Sequence, residues 1–151
     1  MKEVNMTEKH PLQPFLPSNA RLLMLGSFPP KRERWSMEFF YPNWINDMWR
    51  IIGLLFYGDK HYFEVEGAKS FDRERIVTFC NDKGIALYDT ATEVRRLKDN
   101  ASDKFLEVVT PTDVPELLRK LPQCSTIVTT GEKATDTLCA LSQVERPAAG
   151  A

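Results

Sequence analysis

A short loop, residues 26–30, is the first stretch whose residue types could bind a ligand. It reads Gly-Ser-Phe-Pro-Pro and follows residues 21–25, an apolar run with the length of a buried strand. Glycine lets a ligand approach the backbone closely, and the two prolines carry no N–H group. The amides of Ser27 and Phe28 are therefore the donors that we expect this loop to offer.

Aromatic residues and one carboxamide follow the loop. Residues 39–41 read Phe-Phe-Tyr, and Asn46 stands in what we predict to be the first turn of a helix, on its polar side. An aromatic face beside a fixed carboxamide suits a planar base. The same pattern also fits core aromatics next to a surface asparagine.

Two further positions follow predicted strands. Asp89 comes after residues 85–88 and could act as an ionisable group, although a helix cap or a turn is the simpler interpretation. Residues 130–133 read Thr-Gly-Glu-Lys and could hold a phosphate at a helix N-terminus through Gly131 and Lys133. A plain turn is the alternative for this segment.

The elements that position these residues alternate along the chain. Apolar runs predict three strands, at residues 21–25, 85–88 and 126–130. Amphipathic patterns and capping signals predict four helices: one begins at Asn43, and the others span residues 72–83, 113–121 and 132–141. This order predicts an α/β fold with three α/β/α layers and a short parallel central sheet of three to four strands.

Parallel sheets of this kind bind ligands beyond the carboxyl ends of their strands. We therefore expect Gly26, Asp89 and Thr130 to lie near one another. Residues 1–20 contain three prolines and no periodicity, which predicts an extended leader packed on the surface. Residues 21–151 would then form the single domain.

Composition narrows the class of protein. The chain has 151 residues, 42% of them hydrophobic, and no apolar run long enough to span a bilayer. Three cysteines without C-x-x-C spacing argue against disulfides and zinc, and no phosphate-loop or dinucleotide motif occurs. We expect a cytoplasmic, monomeric protein with neither metal nor cofactor.

Positive charge is local, because the net charge is −1. The stretch from Lys31 to Arg34 offers basic side chains that could contact phosphate, and Lys31 and Arg32 are our candidates. A solvated surface is the simpler interpretation of such a run.

Several of these segments together resemble the uracil-DNA glycosylase superfamily, and in particular its mismatch-specific uracil/thymine and hypoxanthine-DNA glycosylase branches. The resemblance covers roughly residues 20–141 in the same order and spacing. It rests on five stretches: residues 26–29, 39–49, 84–89, 111–113 and 130–134.

The resemblance implies a role for each matched position. Asn46 matches the catalytic asparagine of the hypoxanthine branch, and Tyr41 matches the aromatic that stacks on the flipped base. Gly26, Ser27 and Phe28 match the loop whose backbone lies against that base. Phe28 also stands where the mismatch-specific branch has its catalytic asparagine, and Asp47 stands where arginine is usual.

The implied function is a monofunctional glycosylase of base-excision repair that removes uracil or hypoxanthine from double-stranded DNA. Catalysis would involve Asn46, with Asp89 as the ionisable candidate. The family's final strand and its DNA-inserting loop have no counterpart, so we expect a domain without them. A non-catalytic binder of DNA or nucleobases, and a small-molecule-binding domain unrelated to DNA, are the alternatives.

Overall fold

A three-stranded parallel sheet lies at the centre of the protein in the computed structural model, which describes residues 6–97, 106–145 and 147–148. Its strands are β2 (Leu22–Gly26), β3 (Ile85–Asp89) and β6 (Thr126–Thr129), in the order β3-β2-β6. Leu22 pairs with Ile85 and with Thr126. All three strands are confirmed within a residue of their predicted bounds.

Helices cover both faces of this sheet. They are α1 (Met48–Tyr57), α2 (Arg73–Lys83), α3 (Val114–Arg119) and α4 (Glu132–Ser142). The crossover that contains α1 and α2 connects β2 to β3. The crossover that contains α3 runs in the opposite direction across the sheet, from β3 past β2 to β6. Right-handed crossovers in opposite directions place their helices on opposite faces, which gives the predicted three layers.

Capping residues set two of the helix starts as predicted. The Asp72 carboxylate accepts a hydrogen bond from the amide of Arg75, and that of Asp113 accepts one from the amide of Glu116. Gly84 ends α2 in the left-handed conformation, with φ 71°.

Helix α1 begins later than predicted. Asn43 does not start the helix, because its side chain accepts a hydrogen bond from the amide of Ile45 and forms a local turn. The first helical residue is Met48. The apolar residues between Trp44 and Phe56 form two adjacent stripes at helical spacing, which predicts a wide buried face. This prediction is wrong, because Ile51, Leu55 and other large apolar side chains of α1 are exposed.

A second, antiparallel sheet was not predicted. It contains β1 (Thr7–Lys9), β4 (Ala91–Arg96) and β5 (Leu106–Pro111), in the order β1-β4-β5. Strands β1 and β4 are largely polar, and β5 mixes polar with apolar residues, so none of them has the continuous apolar run that marks the central strands. The segment predicted as an extended leader thus supplies an edge strand.

One large core cluster joins the central sheet to its helices, and a smaller one lies under the second sheet. Within the residues that the structure describes, no helix has the length and apolar character needed to cross a membrane. The predicted end of the domain, residues 149–151, lies outside the described residues.

Candidate active site

A cavity of about 540 Å³ opens at the carboxyl ends of the three central strands. Gly26 ends β2, Asp89 ends β3, and Thr130 with Gly131 follows β6; all four line the cavity. The structure places seven of the ten predicted site residues on its wall: Gly26, Ser27, Phe28, Tyr41, Asn46, Asp89 and Gly131. Lys31, Arg32 and Lys133 are not among the lining residues.

Gly26 allows three polar side chains to meet. A Cβ atom at this position would lie 2.7 Å from Asp89 Oδ1 and 3.4 Å from both Thr130 Oγ1 and Tyr41 Cε1. The first distance is shorter than a van der Waals contact allows. Glycine is therefore required here so that the Asp89 carboxylate can lie across the end of β2.

The Asp89 side chain is buried and held from one side. Its Oδ2 atom lies 2.6 Å from Nε2 of His10, a residue just after β1. The Thr112 hydroxyl donates to the backbone carbonyl of Asp89 at 2.6 Å, which fixes the end of the strand. Among the described residues that line the cavity, Asp89 is the acidic side chain available for chemistry.

Tyr41 has an uncommon backbone conformation at the cavity wall, with φ 52°. Left-handed backbone is disfavoured for a non-glycine residue and persists where surrounding contacts enforce it. The Tyr41 hydroxyl and Thr130 Oγ1 are 2.8 Å apart, and its ring meets Trp49 edge-on at 5.9 Å between centroids. The indole N–H of Trp49 donates to the Phe40 carbonyl at 2.9 Å, next to this strained residue.

Asn46 is exposed at the mouth of the cavity, two residues before α1 rather than in its first turn. Its side-chain oxygen accepts a hydrogen bond of 2.8 Å from the amide of Met48. The carboxamide oxygen is thus engaged by the helix start. The amino group of the same carboxamide is the part that can donate to a ligand.

Residues of the second sheet contact the loop after β2 and support it. The Phe28 ring is buried and packs in the smaller core cluster, with Ala91 and Val94. Arg96 Nη2 donates to the Pro29 carbonyl at 3.2 Å, and Arg96 Nε donates to the Glu8 carboxylate at 2.9 Å. The loop can therefore present its backbone to a ligand while the Phe28 side chain serves packing.

Of the predicted phosphate contacts, Gly131 lines the cavity, whereas Lys31, Arg32 and Lys133 do not. Arg32 forms an ion pair with Glu38 and lies over the Trp35 ring at 4.4 Å. Gly131 is exposed and precedes α4 with φ 102°, and Lys133 lies in the first turn of that helix. Their role at phosphate stays a prediction.

Tyr88 precedes Asp89 and stays neutral near physiological pH. Burial raises the pKa of Tyr88 to about 12, and the charge of Asp89 adds to this rise. Tyr88 is therefore no rival to Asp89 as a base at neutral pH.

Sequence reasoning missed both His10, which contacts Asp89, and Arg96, which lines the cavity. A lone histidine in a proline-rich leader carries no local signal, because its partner is 79 residues away in the chain. Among the described residues, no group of three or more His, Cys, Asp or Glu side chains could hold a metal ion.

Neither a family model nor a curated protein matches this sequence. A solved structure that resembles the chain is the solution NMR structure of a putative uracil DNA glycosylase from Methanosarcina acetivorans. The two share 23% sequence identity, with a TM-score of 0.64 over 93% of this chain and 81% of that chain. The likeness confirms the predicted fold, while membership of the superfamily and of any branch within it stays a prediction. This chain therefore has a uracil-DNA-glycosylase-like α/β fold.

Proposed function

We propose that this protein is a DNA glycosylase that hydrolyses the N-glycosidic bond of a deaminated or mismatched base, uracil or hypoxanthine, flipped out of double-stranded DNA. The observation that carries the proposal is the cavity at the strand ends. It combines an aromatic wall at Tyr41, a carboxamide at Asn46, a backbone loop at Ser27 and a buried carboxylate at Asp89. Such enzymes must accept an extruded base, because its sugar carbon is unreachable inside the duplex.

The base would be held by its flat face and its polar edge. Tyr41 supplies the face, and its strained backbone and its contact with Thr130 support a fixed ring position. The amides of Ser27 and Phe28 would donate to the oxygen and ring nitrogen of the base. Donors of this kind stabilise the negative charge that the departing base acquires.

Asp89 would take the proton of the attacking water. The water oxygen attacks the anomeric carbon while the bond from that carbon to the base nitrogen breaks, and the electron pair leaves with the base. The water proton passes to Asp89 Oδ1, so the products are an abasic site and the base anion. The base anion then takes a proton from solvent. Asn46, which cannot ionise, would orient the water or the base through its amino group.

Contacts to the DNA backbone would come from the rim of the cavity. Lys31, Arg32, Gly131 and Lys133 are our proposed phosphate contacts. The last two stand at the start of α4, where amides and the helix dipole favour an anion.

The test is base release from labelled duplexes that carry one uracil, one hypoxanthine or one G·T mismatch, with abasic sites revealed by alkali. We expect cleavage of the uracil or the hypoxanthine duplex. Asp89→Asn should lower the single-turnover rate by about 100- to 10,000-fold. Asn46→Ala should lower it by about 100-fold, the usual effect of removing one oriented polar group.

Matched controls come from the exposed face of α2, outside the lining of this cavity. Asp82→Asn and Asn81→Ala make the same chemical changes there and should leave the rate unchanged. If no duplex is cleaved while DNA binding persists and weakens with salt, the protein is the non-catalytic DNA binder. Absence of both cleavage and binding would reject the DNA function altogether.

A further inference from the structure

His10 reaches the candidate catalytic carboxylate from the unpredicted second sheet. It follows β1, which pairs with β4, and its backbone amide donates to the Thr92 carbonyl at 2.8 Å. Its side chain is only 2% exposed, and Nε2 lies 2.6 Å from Asp89 Oδ2. His10 is not among the residues that line the cavity, so it would act on a substrate only through Asp89.

The hydrogen bonds of the ring define its tautomer. The amide of Leu12 donates to Nδ1 at 3.1 Å, so Nδ1 must carry a lone pair. The single proton of the neutral imidazole is then on Nε2, where it is donated to the Asp89 carboxylate. Protonation of Nδ1 would remove the acceptor that Leu12 requires.

Aromatic rings hold the imidazole in place. It stacks on Tyr88, with centroids 4.6 Å apart and an angle of 27° between the planes. It also meets Phe28 edge-on at 5.2 Å. The ring therefore has little freedom to leave Asp89, because its backbone, two nitrogens and one face all have partners.

We propose that His10 is a positioning residue for Asp89: it binds Oδ2 and thereby directs Oδ1 across Gly26 toward the cavity. This inference rests on the proposed glycosylase activity, in which Oδ1 accepts the water proton. The two oxygens of Asp89 have distinct surroundings, since Oδ2 contacts the imidazole and Oδ1 lies where a Gly26 side chain would be. An oriented carboxylate needs no reorganisation when it takes the proton of the attacking water.

The competing explanation is purely structural, with His10 anchoring β1 to the rest of the protein. That role predicts that every substitution lowers activity only as far as it lowers stability. A positioning role instead predicts dependence on one N–H donor and on the presence of the Asp89 carboxylate.

Two substitutions separate these explanations. His10→Gln can place an amide N–H near the position of Nε2, whereas His10→Phe keeps an aromatic ring and removes the donor. Each is measured alone and combined with Asp89→Asn, as the single-turnover rate on the duplex that the wild type cleaves. Affinity for that duplex and the free energy of unfolding are measured in parallel. His61→Gln, at the exposed second histidine, is the matched control.

We expect His10→Phe to lower the rate by about 10- to 100-fold, as is usual for groups that orient a functional residue, with DNA affinity unchanged. His10→Gln should retain more of the rate. In the Asp89→Asn background neither change should lower the rate further, because the group that His10 orients has lost its charge.

Four results would overturn the inference. Equal losses in the Gln and Phe variants that follow their loss of stability would assign His10 a structural role. Additive losses on the Asp89→Asn background would do the same. A wild type that cleaves no duplex would reject the proposed function and, with it, the role of His10, whereas an active wild type with a fully active His10→Phe variant would reject the role alone.

Discussion

The missing side chain of Gly26 determines the geometry of the site. The carboxylate of Asp89 occupies the space that a side chain at this position would need, and His10 prevents the carboxylate from turning away. The site therefore depends on the absence of a methyl group as much as on the presence of polar groups.

Replacing Gly26 by alanine should disable the site more than it destabilises the protein. The new Cβ would lie 2.7 Å from Asp89 Oδ1 and must displace it. A shift of about 1 Å in a reacting group lowers rates by about 100-fold, and we expect that loss in the single-turnover rate.

Gly67→Ala is the control for this prediction, since Gly67 is exposed and has φ 78° with no atom near its Cβ position. It should lower the free energy of unfolding by about 1–2 kcal/mol and leave the rate unchanged. A Gly26→Ala enzyme that is as fast as the wild type would show that Asp89 Oδ1 does not need its present position.

The buried thiol of Cys80 should make stability fall at alkaline pH. Burial raises the pKa of Cys80 from 9.0 to about 12, so the folded protein keeps a proton that the unfolded chain releases. Its contribution to stability is complete below pH 9 and is lost as the pH rises toward 12. Urea titrations from pH 8 upward should show a decline that is shallower in Cys80→Ala, by at most about 1.4 kcal/mol per pH unit. Parallel declines in the two proteins would contradict this assignment.

At the scale of elements, α1 buries a narrow face. Trp49, Ile52 and Gly53 are its buried residues, Met48 is partly buried, and the remaining apolar side chains are exposed. A Cβ at Gly53 would lie 2.7 Å from the Asp59 carbonyl, so the chain after the helix packs closely on this face. Hydrophobic periodicity alone overestimated the width of the buried stripe.

Two alanine substitutions on α1 test this orientation. Ile52→Ala, at an 8% exposed site, should lower the free energy of unfolding by about 2–5 kcal/mol through lost burial and a residual cavity. Leu55→Ala, at a 72% exposed site, should change it by less than about 0.5 kcal/mol. Urea denaturation measures both, and equal losses would mean that Leu55 is covered in solution.

At the scale of the whole molecule, residues of both sheets contribute to the site and to the contacts that support it. Strand β1 carries Glu8, which pairs with the buried guanidinium of Arg96, and His10 follows directly. Arg96 in turn donates to the Pro29 carbonyl of the ligand-facing loop. The N-terminal segment is thus joined to the cavity by two polar contacts.

Neutralising Glu8 should weaken this connection. Glu8→Gln leaves the Arg96 guanidinium without its carboxylate, and we expect a loss of about 1–3 kcal/mol in the free energy of unfolding. Lys9→Gln, an exposed change on the same strand, should have little effect. If thermal or urea unfolding does not distinguish Glu8→Gln from Lys9→Gln, the pair contributes nothing measurable.

Local sequence signals account for the central layers of the fold. The apolar runs of β2, β3 and β6 predict buried parallel strands, and Asp72 and Asp113 mark helix starts, because these signals act within a few residues. The alternation of strands and helices predicts that Gly26, Asp89 and Thr130 meet at one edge of the sheet. The sequence by itself therefore determined the parallel sheet and the place of the cavity.

The tertiary structure decided what depends on distant partners. Strands β4 and β5 gain their stability from cross-strand pairing and from the smaller core cluster, which contains Ala91, Val94 and Leu106. The start of α1 depends on turns at Asn43 that compete with the helix. The contact of His10 with Asp89 joins residues 79 positions apart and has no signature in either neighbourhood. Such contacts form only when the two sheets pack together. The orientation of the candidate catalytic carboxylate could therefore be determined only from the tertiary structure.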